Sequence, residues 1–167
     1  KIAMKDKILC AKFRKGHFEG VLDVMDRFTN IIKPRIIYMG NKDFQQLYLV
    51  KNFIKKKYKV KVIGCKTIRN ENKLALSSRN YHLNKDDLHI VEKITKKIFK
   101  LKKTIRGIQN INEFLKKTKK DLEKSFKIKI EYLENRNKIN LKLSQKLKKS
   151  KIFFSYYFKG IRLIDNF

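Results

Sequence analysis

Gly40, Asn41, Lys42 and Asp43 stand in a row between a short apolar run, Ile36 to Met39, and an amphipathic stretch that begins at Phe44. Where a strand gives way to a helix, free backbone N–H groups and the helix dipole attract an anion. Gly40 lets a ligand come close to the backbone. Lys42 can meet a phosphate as a point charge, and Asp43 can accept hydrogen bonds from a ribose hydroxyl. The same four residues would equally make an ordinary turn with Asp43 as a helix cap. Gln45 and Gln46 follow, and adjacent amides on a helix point to different sides, so no more than one faces a ligand at the sheet edge. Gln46 lies three residues after Asp43 and shares its face, where its amide can donate to a carboxylate and accept from a hydroxyl.

A second polar constellation is Leu76-Ser77-Ser78-Arg79-Asn80. Its two hydroxyls and guanidinium suit a bidentate grip on phosphate, and equally suit a cap or a surface turn. Arg14-Lys15-Gly16-His17-Phe18 opens a further amphipathic stretch, and His17 reads as a helix-start residue hydrogen-bonded to a neighbouring loop rather than as a proton carrier. His82 and His89 have no partners in sequence. Cys10 and Cys65 are too few and too isolated for a disulfide framework or a zinc site, so both read as plain buried thiols and no metal ligand set is expected.

The elements that must position these residues follow from periodicity. Ile8 to Cys10 reads as a first short strand. Phe18, Val21, Leu22, Met25, Phe28 and Ile32 then form the inward stripe of a helix that Pro34 stops. Ile36 to Met39 reads as a strand ending at Gly40, and Phe44, Leu47, Val50 and Ile54 as the stripe of a second helix. Val60 to Ile63 is the next strand, ending at Gly64. This alternation predicts a parallel sheet with right-handed crossovers, whose ligands gather at the carboxyl ends of the strands. After a polar, irregular stretch from Lys66 to Asn84, stripes at Val91, Ile94, Ile98 and Leu101, and at Ile111, Phe114, Leu115, Leu122 and Phe126, predict two helices. Ile128 to Tyr132, Ile152 to Phe158 and Ile161 to Ile164 predict a small antiparallel sheet. The fold class is α/β followed by a small α+β unit, with the boundary expected between residues 78 and 79.

Composition bounds the partners. The chain of 167 residues carries 44 Lys and Arg against 15 Asp and Glu, a net charge of +29. Residues 1–80 contribute +14 and residues 81–167 contribute +15, so along the sequence the charge is spread rather than focused. Lys supplies 36 of the 44 cations, whereas base-edge and bidentate phosphate recognition favours Arg. Codon bias toward Lys, Asn and Ile accounts for such a composition, and no nucleic-acid partner is expected. No apolar run approaches the roughly 18 residues that span a bilayer, and no signal-peptide pattern follows Lys1. The expectation is a cytoplasmic protein with no membrane partner.

Taken in order, several segments resemble the pantoate-beta-alanine ligases, which join pantoate to beta-alanine while cleaving ATP to AMP and pyrophosphate. The matching stretches are Phe13 to Val21, Gly40 to Leu47, Thr67-Ile68-Arg69, Leu74 to Asn80, and Arg162 to Asn166. The resemblance implies the second half of a Rossmann-like nucleotidyltransferase domain over residues 1–78 and a C-terminal lid domain over 79–167. It assigns ATP contacts to Gly40, Asn41, Lys42, Asp43, Ile68, Leu76, Ser77, Ser78 and Arg79, and pantoate binding to Gln46. It implies ATP with magnesium, the substrates pantoate and beta-alanine, and a homodimer at full length. No catalytic residue is assigned here, because the His-x-Gly-His segment of the resemblance is absent from this sequence. The chain is accordingly expected to be a C-terminal portion, inactive or nearly so on its own, with an open sheet edge and unburied apolar helix faces. Departures from the pattern are Asn41 for Glu or Gln, Lys15 and Lys66 for Pro, and Lys73 for Gly. The alternatives are a basic nucleic-acid-binding module and a non-catalytic relative.

Overall fold

The computed structural model describes residues 2–167, and these divide into two compact units that meet in sequence between Thr67 and Ile68. In the first, α1 (Cys10–Phe13) and α2 (His17–Ile32) precede β1 (Ile36–Gly40), a single 3-10 turn (Asn41–Asp43), α3 (Phe44–Lys57) and β2 (Lys61–Cys65). β1 and β2 pair in parallel, Ile36 with Lys61 through Gly40 with Cys65. The core beneath them joins Leu47, Val50 and Ile54 of α3 to Val62, with Val21, Leu22 and Met25 of α2 packed against it. Each fully buried aliphatic side chain contributes about 1.5–3 kcal/mol of transfer free energy, so the helical stripes hold this unit together.

Three expectations fail here. Cys65 is not a buried thiol: it ends β2, where the strand runs out of the core, and is exposed. Ile8 to Cys10 is not a strand: Leu9 adopts φ 48° and ψ −127°, and α1 starts at Cys10. A side chain and local turns meet the backbone around this run instead of a strand neighbour: the Gln45 amide donates to the carbonyls of Asp6 (3.1 Å) and Ile8 (2.8 Å) and accepts from the Ala11 N–H (3.4 Å), and the Arg14 N–H donates to the Cys10 carbonyl at 2.9 Å. Nor does the α2 stripe stay inside along its length. Phe18 is buried, but Phe28 is 55% and Ile32 66% exposed. The α3 end reaches α2 at Asp26, where Lys57 (2.6 Å) and the Tyr58 hydroxyl (2.6 Å) meet its carboxylate; these two hydrogen bonds hold the Asp26 pKa below its ordinary value.

The second unit sets α4 (Lys85–Thr104) and α5 (Ile111–Phe126) against the antiparallel sheet β3 (Lys129–Asn137), β4 (Ser150–Phe158) and β5 (Ile161–Asn166), in the order β3-β4-β5. Val91, Ile94, Ile98, Leu115 and Leu122 meet Ile152, Phe154, Tyr156 and Leu163 in its core. Asn84 caps α4 by accepting from the Asp87 N–H at 2.8 Å, and Asn110 caps α5 through Glu113, each satisfying an orphan donor of the first turn. Lys159 (φ 47°) and Gly160 (φ 78°) make the two-residue turn from β4 to β5, and paired positive φ values are what matches a tight turn to strand twist.

The two units meet in sequence between Thr67 and Ile68, earlier than the boundary read from the pattern. Residues 68–78 fold with the second unit because Arg69 bridges to Ala75 and its guanidinium grips Asp165, with Nη–O distances of 2.6 and 2.7 Å. The Asn70 and Asn72 amides also donate to Glu92 of α4, each at 2.6 Å.

Candidate functional site

β1 delivers Gly40 to the head of α3, and residues 41–43 make the turn between them. A Cβ built on Gly40 meets no heavy atom within 4 Å, so space beside this backbone is open. Gly64 differs: a Cβ there would stand 2.6 Å from Asn41 Oδ1 and 2.7 Å from Leu47 Cδ2. The absent side chain on β2 is therefore what allows Asn41 to lie against the neighbouring strand. The Lys42 side chain is only 17% exposed, low for a lysine in a connecting turn, and its ammonium is 3.8 Å from Asp43. Asp43 occupies the N-cap position of α3, yet its carboxylate makes no capping hydrogen bond.

Gln45 and Gln46 separate as adjacent helical amides must. Gln45 is buried and engaged with residues 6–11, while Gln46 lines an open cleft of about 550 Å³ with Gly16, His17, Gly20, Val21, Val24 and Met25. The cleft thus offers one amide and one imidazole against an apolar wall, an arrangement suited to a small molecule with an alkyl body and a polar end. Arg14 Nη1 lies 2.7 Å from His17 Nε2. A guanidinium can only donate, so Nε2 accepts and the ring proton of a neutral His17 sits on Nδ1. The reading of His17 as a hydrogen-bonded helix-start residue agrees with this geometry.

Ile68, Leu76, Ser77, Ser78 and Arg79 belong to the second unit. The Leu76 N–H donates to the Ile68 carbonyl at 3.0 Å, which sets these two exposed apolar side chains on neighbouring backbone. Ser77 caps the 3-10 turn Ser78–His82 by accepting from the Arg79 N–H at 3.3 Å. Arg79 donates to the Arg162 carbonyl at 3.2 Å, and Arg162 itself pairs with Glu131 at 2.6 Å, so the guanidinium of Arg79 is moored to the sheet. The structure thus gathers Gly40, Asn41, Lys42, Asp43 and Gln46 in one unit and the remaining five residues in the other.

Pattern reading gave no role to Gln45 as a staple, to Val24 and Met25 as cleft wall, or to the Arg69–Asp165 pair. The first two carry a helical-spacing signal that does not distinguish core from cleft. The third joins residues 96 apart in sequence and has no local signal.

The chain has relatives in both sequence and fold. The sequence profile of pantoate-beta-alanine ligase matches residues 1–167. A pantothenate synthetase of Sulfurihydrogenibium sp. is 35% identical over 99% of this chain and 60% of its own length. One from Clostridium botulinum is 36% identical over 95% of this chain and 58% of its own. Among solved structures, the pantoate-beta-alanine ligase of Francisella tularensis, crystallised with beta-gamma ATP and beta-alanine, superposes with a TM-score of 0.76 at 33% identity, covering 100% of this chain and 56% of that one. The pantothenate synthetase of Thermus thermophilus shares the fold, with a TM-score of 0.82 at 24% identity over 61% of its length. The chain thus spans about 60% or less of the relatives it matches. With the family profile matched along its whole length, the chain belongs to the pantoate-beta-alanine ligase family.

Proposed function

We propose that this chain carries part of the site at which ATP activates pantoate for condensation with beta-alanine to give pantothenate. The observation that carries the reading is the junction of β1 with α3: an open backbone at Gly40, a largely enclosed Lys42, and Gln46 lining a cleft whose other wall is apolar. The Francisella relative is complexed with beta-gamma ATP and beta-alanine, which supports ATP and beta-alanine as ligands here.

In this reading a pantoate carboxylate oxygen attacks the α-phosphorus of ATP, and pyrophosphate leaves. The beta-alanine amine then attacks the acyl carbon, AMP leaves, and the amine loses a proton. Lys42 and Arg79 offset negative charge building on the phosphates. Gln46 aligns the pantoate, and Val21, Val24 and Met25 shelter its alkyl body. Gly40, Asn41, Asp43, Ile68, Leu76, Ser77 and Ser78 contact the nucleotide. Positioning and charge stabilisation are what these residue types supply.

Magnesium enters with the triphosphate. Among the described residues no three His, Cys, Asp or Glu converge as a metal site, and a magnesium ion held by phosphate oxygens and water needs no such set. The protein acts in the cytoplasm, as a homodimer in its full enzymatic form.

The test is AMP release that depends on both pantoate and beta-alanine, measured for this chain alone and for a fusion to the amino-terminal part of the Sulfurihydrogenibium relative. Little or no turnover is expected from the chain alone. Turnover is expected from the fusion, and K42A or Q46A should lower it by about 10²-fold or more. A folded fusion without turnover, or one indifferent to both substitutions, would refute the assignment.

A further inference from the structure

The near-equal charge of the two sequence halves conceals a local concentration. From Lys138 to Lys151 there are six lysines and no carboxylate. This segment joins β3 to β4, and Lys138, Lys142, Lys146, Lys148 and Lys149 are all exposed. Two aliphatic side chains stand out among them, Ile139 at 68% and Leu143 at 57% exposure.

The segment is built rather than slack. Leu141 is fully buried and anchors its centre, with Arg136 Nη1 donating to the Leu141 carbonyl at 2.7 Å. Asn137 accepts from the Ile139 N–H at 2.7 Å, and its own N–H donates to the Lys142 carbonyl at 2.9 Å. The Asn135 amide donates to the carbonyls of Ser144 and Lys146. Gln145 ties the far side to the start of α5 by accepting from the Asn112 N–H at 3.2 Å. With Leu141 turned inward and the loop backbone hydrogen-bonded, Ile139 and Leu143 are exposed on either side of it, in a segment whose five loop lysines are exposed as well.

Lys151, at the start of β4, stands beside this loop. Burial first, then the charge of Lys138, with Lys102 and Arg69 adding to it against an opposing Asp165, depresses the Lys151 ammonium to about 8. Within the loop itself no carboxylate offsets the lysines that an anionic partner would meet.

We propose that the β3–β4 loop is a docking surface for an anionic phospholipid bilayer, with lysines meeting headgroups and Ile139 and Leu143 entering the interface. The exposed aliphatics favour a bilayer over a phosphodiester chain. Sequence-tolerant nucleic-acid grooves use aromatic platforms and arginines, and this loop has neither. The cytoplasmic leaflet is the natural anionic surface, and lysines near it attract it independently of any ligase activity. The inference does not rest on the ligase reading.

Co-flotation of the chain with vesicles tests it, comparing phosphatidylcholine alone with phosphatidylcholine mixed with phosphatidylserine at physiological salt. Binding is expected to the mixed vesicles only. K142Q/K146Q/K148Q should weaken it by about a hundredfold, roughly fivefold per lysine. I139S/L143S should leave a weaker association that high salt abolishes. K142R/K146R/K148R should retain binding, and the α5 variant K116Q/K117Q/K120Q should leave it within about twofold, separating this loop from net charge. Absence of binding, an equal loss in the α5 variant, or indifference to I139S/L143S with tighter binding to random duplex DNA would each overturn the proposal, the last in favour of a nucleic-acid partner.

Discussion

Lys73 sits at φ 71°, a left-handed conformation that costs a residue with a Cβ roughly 1–2 kcal/mol and glycine almost nothing. The turn holds it there: its N–H donates to the Asn70 carbonyl at 3.0 Å, and its carbonyl accepts from Arg69 at 2.9 Å. Lys73→Gly relieves that strain but gains unfolded-state entropy, so a net stabilisation of about 0.5 kcal/mol is expected by urea denaturation. A net loss would mean that the lysine side chain itself supports the turn. The position was legible in the sequence as a departure from a Gly-bearing pattern; its backbone angle was not, because a hydrogen-bonded turn can hold an unfavourable residue. Lys151 makes a second prediction at this scale. Its folded pKa of about 8 lies below the ordinary 10.5, so between those values the unfolded chain binds more protons and stability rises with pH. The cost of burying the charge is fully present below about 8. Lys151→Met should therefore gain stability relative to the parent at pH 7 and lose that advantage at pH 10, as thermal melts at the two values would read; an advantage that does not change with pH would remove burial of the charge as its cause.

Elements were the most legible part of the sequence, for physical reasons that differ between them. The stripes of α4 and α5 predicted buried faces because both helices have a sheet to cover, and Val91, Ile94, Leu115 and Leu122 are all buried there. The same arithmetic on α2 failed at Phe28 and Ile32, since periodicity reports an apolar face without saying what meets it. Ile8 to Cys10 failed because one glutamine thirty-odd residues onward replaced a strand neighbour. The site segments were legible as β1, the turn and α3, but the contact that seats Asn41 against Gly64 was not. Gly64→Ala would push a methyl into Asn41 and Leu47, and overpacking of this kind costs about 1–3 kcal/mol. G64A/N41G should recover part of the loss in a denaturation experiment; no recovery would locate the clash at Leu47. In the second unit, Asp165→Asn would leave Arg69 facing a neutral amide where the parent pair is 17% and 11% exposed. A loss of about 3 kcal/mol is expected, the lower end of the range for breaking a buried pair, and a loss under about 0.5 kcal/mol would show that solvent already screens it.

At the scale of the whole molecule, charge and apolar surface act in opposite directions. A net charge of +29 makes copies of the chain repel one another. Against this, the first unit presents Val24, Phe28, Ile31 and Ile32 of α2 together with Ile36 and Tyr38 of β1, all exposed. Among the described residues β1 pairs with β2 alone, which leaves a second strand edge with open donors and acceptors. Both features drive association, and repulsion sets the concentration at which it begins. Added salt screens the repulsion and leaves the apolar attraction intact, so sedimentation velocity should show larger species as ionic strength rises. Docking of the lysine loop on a charged bilayer should weaken over the same range, and the opposite signs allow the two surfaces to be told apart in one preparation. F28K/I32K should shift the chain toward monomer at every salt concentration, with a change in stability of no more than about 0.5 kcal/mol because both side chains are already in water. A parent chain that stays monomeric across the salt series would mean that the exposed face of α2 and the edge of β1 are too small or too well hydrated to pair.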